Sequence, residues 1–318
     1  MWTSEGQPLA VVSKSPSSKR AIPNNVKLVV LPGFGNNSND YFLPEAPQGS
    51  LVRSLQNRGW RDDQIRVLPM ERLDWLQVFV NGLFDLRFWT SNMAATCPSF
   101  RWYLKCVAGE IAEICEESSD TKVVLVCHSA GGWLARAALG YFSQAQADEQ
   151  DVPRIELERV LGMVTLGAPH IPPPPEVMDM TRGALRITNE DFPGAYHIDD
   201  GLFYITVVGN AIAGIKDQRR SPFERTTPTG LAFNSYEAVC GAGTSMGDGL
   251  IPRMSAHLDD AIQINLDGVF HSINAPDKWY GSDSLLDRWH DTMLEQIYSS
   301  RNMSVRTPNR DFGNVVSR

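Results

Sequence analysis

Short apolar runs recur along the chain, several of them too apolar to face water on either side. Val26 to Leu31, Gln64 to Leu68, Lys122 to Cys127, Val160 to Leu166, Tyr204 to Val208 and Ala261 to Asn265 read as strands. Leu51 to Arg58, Trp102 to Glu116, Gly131 to Phe142 and Ser284 to Tyr298 carry the wider apolar spacing of helices. Strands that alternate with helices predict an α/β fold, a mostly parallel central sheet with helices on both faces. No Gly/Ser-rich linker, composition shift or internal repeat divides residues 26–300, which read as a single domain. Residues 1–25 are expected to be a disordered tail and residues 301–318 a loose polar one.

Two segments exceed what a connection needs. Residues 75–102 hold Trp75, Phe79, Phe84, Phe88, Trp89, Phe100 and Trp102, which suit a lid or an acyl pocket but equally suit a helix pair packed on the sheet. Residues 170–200 begin near a proline run, Pro172 to Pro175, that fixes an extended backbone and suits a pocket wall; few signals for regular structure follow. Both are cap-like insertions.

The chemistry concentrates where the third apolar run ends, in V-V-L-V-C-H-S-A-G-G from Val123 to Gly132. A strand that turns into a helix within three residues has no room for large side chains, and Ser129 sits at that corner with Ala130, Gly131 and Gly132 behind it. The turn lifts the hydroxyl toward the first free N–H groups and the positive dipole of the helix, where an oxyanion is stabilised. A serine at such a junction also serves as an N-cap, and the G-x-S-x-G pattern is broken by Cys127. A nucleophile needs a base and an acid that orients it, in the chain order Ser, Asp, His. Asp248 lies between glycines in G-D-G-L-I-P, and His271 follows the last strand in V-F-H-S. Loops after late parallel strands lie at the carboxyl edge of the sheet, where the three side chains can converge. The glycine-flanked Phe34, after the first strand, offers a backbone N–H that with that of Ala130 makes an oxyanion pair.

Five motifs in this order, L-P-G-F-G-N, V-C-H-S-A-G-G-W, V-T-L-G-A-P-H, G-D-G-L-I-P and F-H-S, resemble serine hydrolases of the α/β-hydrolase superfamily. The likeness is to a lipase-like branch related to the inositol deacylases of membrane anchors and to plant plastid-type hydrolases. It implies an α/β-hydrolase fold, a Ser129, Asp248, His271 triad, the Phe34 and Ala130 oxyanion pair, and an acyl-enzyme route that cleaves carboxylic esters with apolar acyl or alcohol parts. Acyl transfer to another alcohol, or thioester cleavage, would use the same residues; a non-catalytic ligand-binding protein is the reading from another class.

The remaining histidines compete for the role of base. His128 neighbours the serine on a strand, so it faces the other way and packs beneath the elbow. His128, His170 and Trp89 are the candidates for the substrate pocket wall. His257 precedes the last strand rather than following it, and His197 and His290 read as loop and helix-surface residues.

Charge and composition narrow the partners. A formal net charge of −8 excludes a general nucleic-acid binder. No apolar run approaches the roughly 20 residues of a membrane span. The basic stretch Lys216 to Arg225 raises peripheral contact with anionic lipid. Five cysteines without C-x-x-C or ligand spacing indicate a reducing, intracellular compartment and no metal site, and the mechanism requires no cofactor. The Ser- and Lys-rich first 25 residues lack the apolar core of a secretory signal and share the composition of plastid transit segments, which leaves plastid or cytoplasm for a soluble protein.

Overall fold

The computed structural model describes residues 21–144, 153–218 and 226–304, the side chains of the last four excepted. Most of the residues assigned above to the two tails, and Arg219, Arg220 and Arg225 of the basic stretch, lie outside the described residues.

Six strands form one sheet: β1 (Val26–Leu31), β2 (Ile65–Val67), β3 (Lys122–His128), β4 (Val160–Leu166), β5 (Phe203–Asn210) and β8 (Ile262–Asp267). Their order is β2-β1-β3-β4-β5-β8, and every pairing is parallel. A separate antiparallel pair, β6 (Ile212–Ala213) and β7 (Met246–Gly247), lies beyond β5. Alternation along the strands divides the core. Val29, Leu31, Val123, Leu125 and Cys127 pack with α4 (Pro98–Glu117) and α5 (Ala130–Ser143). Leu28, Val30, Val124 and Val126 pack on the opposite face with α1 (Leu51–Gln56) and α8 (Asp287–Ser304). Each such fully buried Val or Leu contributes about 1.5–3 kcal/mol. Helices on both faces leave the carboxyl edge of the sheet as the open one, and the loops after β1, β3 and β4 meet there.

Residues 75–102 fold as α2 (Leu76–Gly82), α3 (Leu86–Trp89) and the first turn of α4. Their aromatic residues divide: Trp75, Phe88 and Phe100 are buried, whereas Phe79, Phe84 and Trp89 are exposed. Two helices went unread in the sequence. One is α6 (Ala184–Asp191), inside the proline-led insertion. The other, α7 (Pro228–Cys240), carries its own punctuation: Thr227 accepts from Gly230 N–H at 3.0 Å, Pro228 opens the helix, and Gly241 closes it in the left-handed conformation. The packed chain also begins slightly before β1, because the buried Pro23 accepts from Gln64 Nε2 at 2.8 Å.

Candidate active site

Ser129 stands between β3 and α5 with φ 52° and ψ −129°, a conformation costly for any residue with a side chain. Its neighbours hold it there. The Ser129 N–H donates to Leu166 O on β4 at 2.9 Å, and Gly132 N–H donates back to Ser129 O at 3.0 Å. The turn is also closely packed. A Cβ at Gly33 would lie 2.6 Å from Ser129 Cβ, and one at Gly131 would lie 2.7 Å from Leu31 O. Although Ser129 occupies the N-cap position of α5, its side chain makes no capping hydrogen bond. The strain therefore serves the presentation of the hydroxyl rather than the helix end. Cys127, at the place where the motif has glycine, is fully buried among the residues under α4 and α5, so a small thiol fits without disturbing the turn.

Asp248 and His271 are brought together. His271 Nδ1 lies 2.8 Å from Asp248 Oδ2, and the His271 N–H donates to Asp248 O at 2.9 Å. The carboxylate is 1% exposed and fully engaged. Oδ1 accepts from the N–H groups of Leu250 at 3.0 Å and Ile251 at 2.7 Å, and Oδ2 also accepts from the Tyr280 hydroxyl at 2.6 Å. Burial works to raise the Asp248 pKa, but His271 and these donors outweigh it, and the net shift is downward. Asp248 is thus held as a carboxylate. The Tyr280 hydroxyl in turn accepts from Gly209 N–H at 2.7 Å, which ties the acid to the end of β5. No sequence signal marked Tyr280; only the fold brings it to Asp248.

The Pro32–Phe34 loop is pinned from two sides: Gly33 N–H donates to the Tyr41 hydroxyl at 3.0 Å, and the Tyr103 hydroxyl donates to Pro32 O at 2.7 Å. Phe34, Ser129 and Ala130 border one cavity of about 270 Å³. Ala130 opens α5, at the positive end of its dipole. The cavity is overwhelmingly apolar. The first insertion supplies Trp75, Val78, Phe79, Phe88 and Phe100, and the second supplies Pro173, Leu185 and the run Asp179 to Arg182.

The three residues expected on its wall are elsewhere. His128 is buried beneath the elbow. Its Nε2 donates to His271 O at 3.2 Å, and since a carbonyl oxygen can only accept, the neutral ring carries its proton on Nε2 and its Nδ1 accepts from the Tyr41 hydroxyl at 3.0 Å. Burial, aided by His271, lowers its pKa to about 3, so it stays neutral. His170 is also buried, with Nδ1 at 3.3 Å from Arg136 Nη1 and Nε2 at 3.1 Å from Thr165 Oγ1. Trp89 is 60% exposed, its indole donating to Leu83 O, and its neighbour Phe88 takes the wall position because one residue along α3 turns the side-chain direction by about 100°. His257 bonds Thr206 Oγ1 and Asn265 Oδ1, and His197 bonds Asp200.

His290 corrects another expectation: it is 2% exposed rather than on a helix surface, because α8 packs it against Trp60, whose indole donates to Nε2 at 2.9 Å. Among the described residues, Asp287, His290 and Asp291 group as metal ligands would, within 4.8 Å. They fit a metal poorly. With Nε2 accepting from an indole, the neutral ring keeps its proton on Nδ1, the atom that would have to coordinate, and Arg58 already binds Asp287 at 2.7 Å.

Residues 66–172 match the family described as "Putative serine esterase (DUF676)". No protein among those curated for function matches the chain in sequence. Solved structures similar to it include phospholipase PlaB from Legionella pneumophila (12% identity, TM-score 0.47, covering 90% of this chain and 59% of that one). A metagenomic carboxyl esterase matches at 11% identity and a TM-score of 0.47, covering 92% and 82%. The lipase of Staphylococcus hyicus matches at 12% identity and a TM-score of 0.49, covering 90% and 99%. The chain spans about three fifths of the Legionella phospholipase.

Proposed function

We propose that this chain is a lipase-like serine esterase of the α/β-hydrolase fold that cleaves carboxylic esters of a single apolar acyl chain. The observation that carries the reading is the strained, uncapped Ser129 facing an apolar cavity, with an Asp248–His271 pair held at the same sheet edge. Nδ1 of His271 is committed to Asp248, which leaves Nε2 as the atom that takes the Ser129 proton. The alkoxide adds to the ester carbonyl, and the N–H groups of Phe34 and Ala130 receive the negative oxygen. His271 returns the proton to the departing alcohol. Water, deprotonated by the same imidazole, then releases the acid from the serine. Asp248 remains ionised throughout and stabilises the imidazolium, with Tyr280 and two backbone donors keeping it in place.

The cavity decides the substrate size. About 270 Å³ lies just below the range of ligand pockets, about 300 to 1,000 Å³, so one chain enters and a two-chain lipid leaves its second chain outside. Around the cavity, α2, α3 and the link between them hold Leu76, Val80, Leu83, Phe84 and Leu86 in solvent, with Phe84 92% exposed. A lipid surface covers such a patch and delivers a substrate of the same polarity. No helix among the described residues is long and apolar enough to cross a membrane.

Release of p-nitrophenol from esters of rising acyl length, with native protein and Ser129→Ala compared at equal concentration, tests the reading. Turnover that peaks at a medium or long acyl chain and falls on the order of 10⁴-fold or more in the variant is expected. Turnover unchanged in Ser129→Ala would refute it.

A further inference from the structure

Arg182 is the one cation among the residues lining the cavity. Every other charged or polar group there is spoken for or neutral. The single acid of the wall, Asp179, accepts from Thr181 N–H and Oγ1 at 2.7 Å each and from Gly183 N–H at 2.9 Å. Arg182 pairs with no carboxylate among the described residues; its guanidinium lies over the Phe88 ring, 4.6 Å from the centroid.

The backbone around Arg182 is fixed from both insertions. Its N–H donates to Asp179 O at 3.0 Å, and its carbonyl accepts from Met93 N–H at 2.9 Å. Gly183 sits so close to the first insertion that a Cβ there would lie 2.2 Å from Ser91 O. Arg182 itself adopts φ 56°, a left-handed conformation that an arginine takes only when its surroundings impose it. A strained, clamped residue thus presents five planar N–H donors beside an apolar cavity, with one aromatic face as compensation. Half-buried at the cavity and without a carboxylate partner among the described residues, the guanidinium is free to take a counter-charge from a ligand. The protein as a whole carries a net charge of −8, so its general field repels anions and only a local cation can select one.

We propose that Arg182 is a specificity-determining residue that binds an oxyanion of the substrate, a carboxylate or a phosphate diester, so that the preferred ester is a single-chain amphiphile bearing a negative group. The guanidinium fork matches either oxyanion in bidentate geometry. The inference rests on the esterase reading of Ser129 and adds the charge of the substrate to it.

Two matched pairs separate the sources of the oxyanion. The p-nitrophenyl ester of hydrogen sebacate is compared with that of decanoate, and lysophosphatidylglycerol with the monoacylglycerol of the same acyl chain. Labelling of Ser129 by a fluorophosphonate is measured first and reports on the esterase reading alone. The expected result is a preference in kcat/KM on the order of tenfold or more for the anionic member of at least one pair. Preference in the first pair identifies a carboxylate on the acyl chain, and in the second a phosphate diester. The preference should collapse toward unity in Arg182→Gln and persist in part in Arg182→Lys, and both variants should still be labelled at Ser129 by the fluorophosphonate, which shows that they fold. A ratio near unity in both pairs for the native protein, or the same preference in Arg182→Gln, overturns the inference while Ser129 labelling still stands. Absence of labelling and of all turnover overturns it together with the esterase reading.

Discussion

At the scale of single residues, the arrangement turns on how firmly Asp248 is held. Four donors converge on one buried carboxylate, and one of them, the Tyr280 hydroxyl, also satisfies the Gly209 N–H. Tyr280→Phe therefore removes a donor from a charge and leaves a buried N–H without its acceptor. A loss of about 1–3 kcal/mol in unfolding free energy is expected, read by urea denaturation. On the proposed mechanism a lower kcat with little change in KM should accompany it, because the imidazolium that Asp248 would stabilise exists only along the reaction path. A KM effect alone would mean that Tyr280 shapes the pocket and not the acid. Ser129, Asp248 and His271 could be picked from the sequence as candidates because each carries a local mark: small residues after a strand, paired glycines, or a place after the last strand. Tyr280, Tyr41 and Arg182 carry none. Their partners lie 32, 87 and about 90 residues away, so only the folded chain pairs them.

At the scale of elements, the inner strands β1, β3, β4 and β5 were readable to within two residues, since a strand buried on both faces has to be apolar along most of its length, as β3 is from Val123 to Val126, whereas the mostly exposed edge strand β8 runs two residues past its expected end and the two-residue β6 and β7 went unread. The helices of the insertions were not. In α2 and α3 the aromatic residues are shared between a buried side and an exposed one, so no single apolar stripe marks the core face. The missed α6 has only Ala184, Leu185 and Thr188 buried. That division yields a prediction for the exposed side. Phe84→Asp with Leu86→Asp alters two side chains, 92% and 75% exposed, that lie outside the cavity wall. Binding to lipid vesicles, followed by co-sedimentation, should fall several-fold while turnover of a water-soluble short-chain ester remains within about twofold. Vesicle binding that persists in the double variant would place the lipid contact elsewhere on the surface.

At the scale of the whole molecule, the buried histidines set the response to acid. His128 has its pKa lowered to about 3 and His290 to about 4, in both cases by burial first, and burial with the nearby Arg136 drives His170 well below its ordinary value. Each is neutral in the folded protein. An unfolded chain exposes the same side chains, which take up protons once the pH falls below about 6.5. The unfolded state then binds more protons than the folded one, so stability falls as pH falls, from about 6.5 down to the folded pKa values. Three such groups together cost on the order of a few kcal/mol for each pH unit below about 6, against a total stability of about 5–15 kcal/mol. These three sites sit under the elbow, behind the second insertion and against Trp60 on α8, so the loss is distributed through the fold and unfolding should be cooperative. Urea midpoints should decline from pH 7 to pH 5, with proton uptake on unfolding rising from below about one near pH 7 toward about three near pH 5. A flat midpoint across that range would mean that the histidines are protonated or hydrated in the native state. In the case of His128 that would undo the Tyr41–His128–His271 chain that joins the Pro32–Phe34 loop to His271.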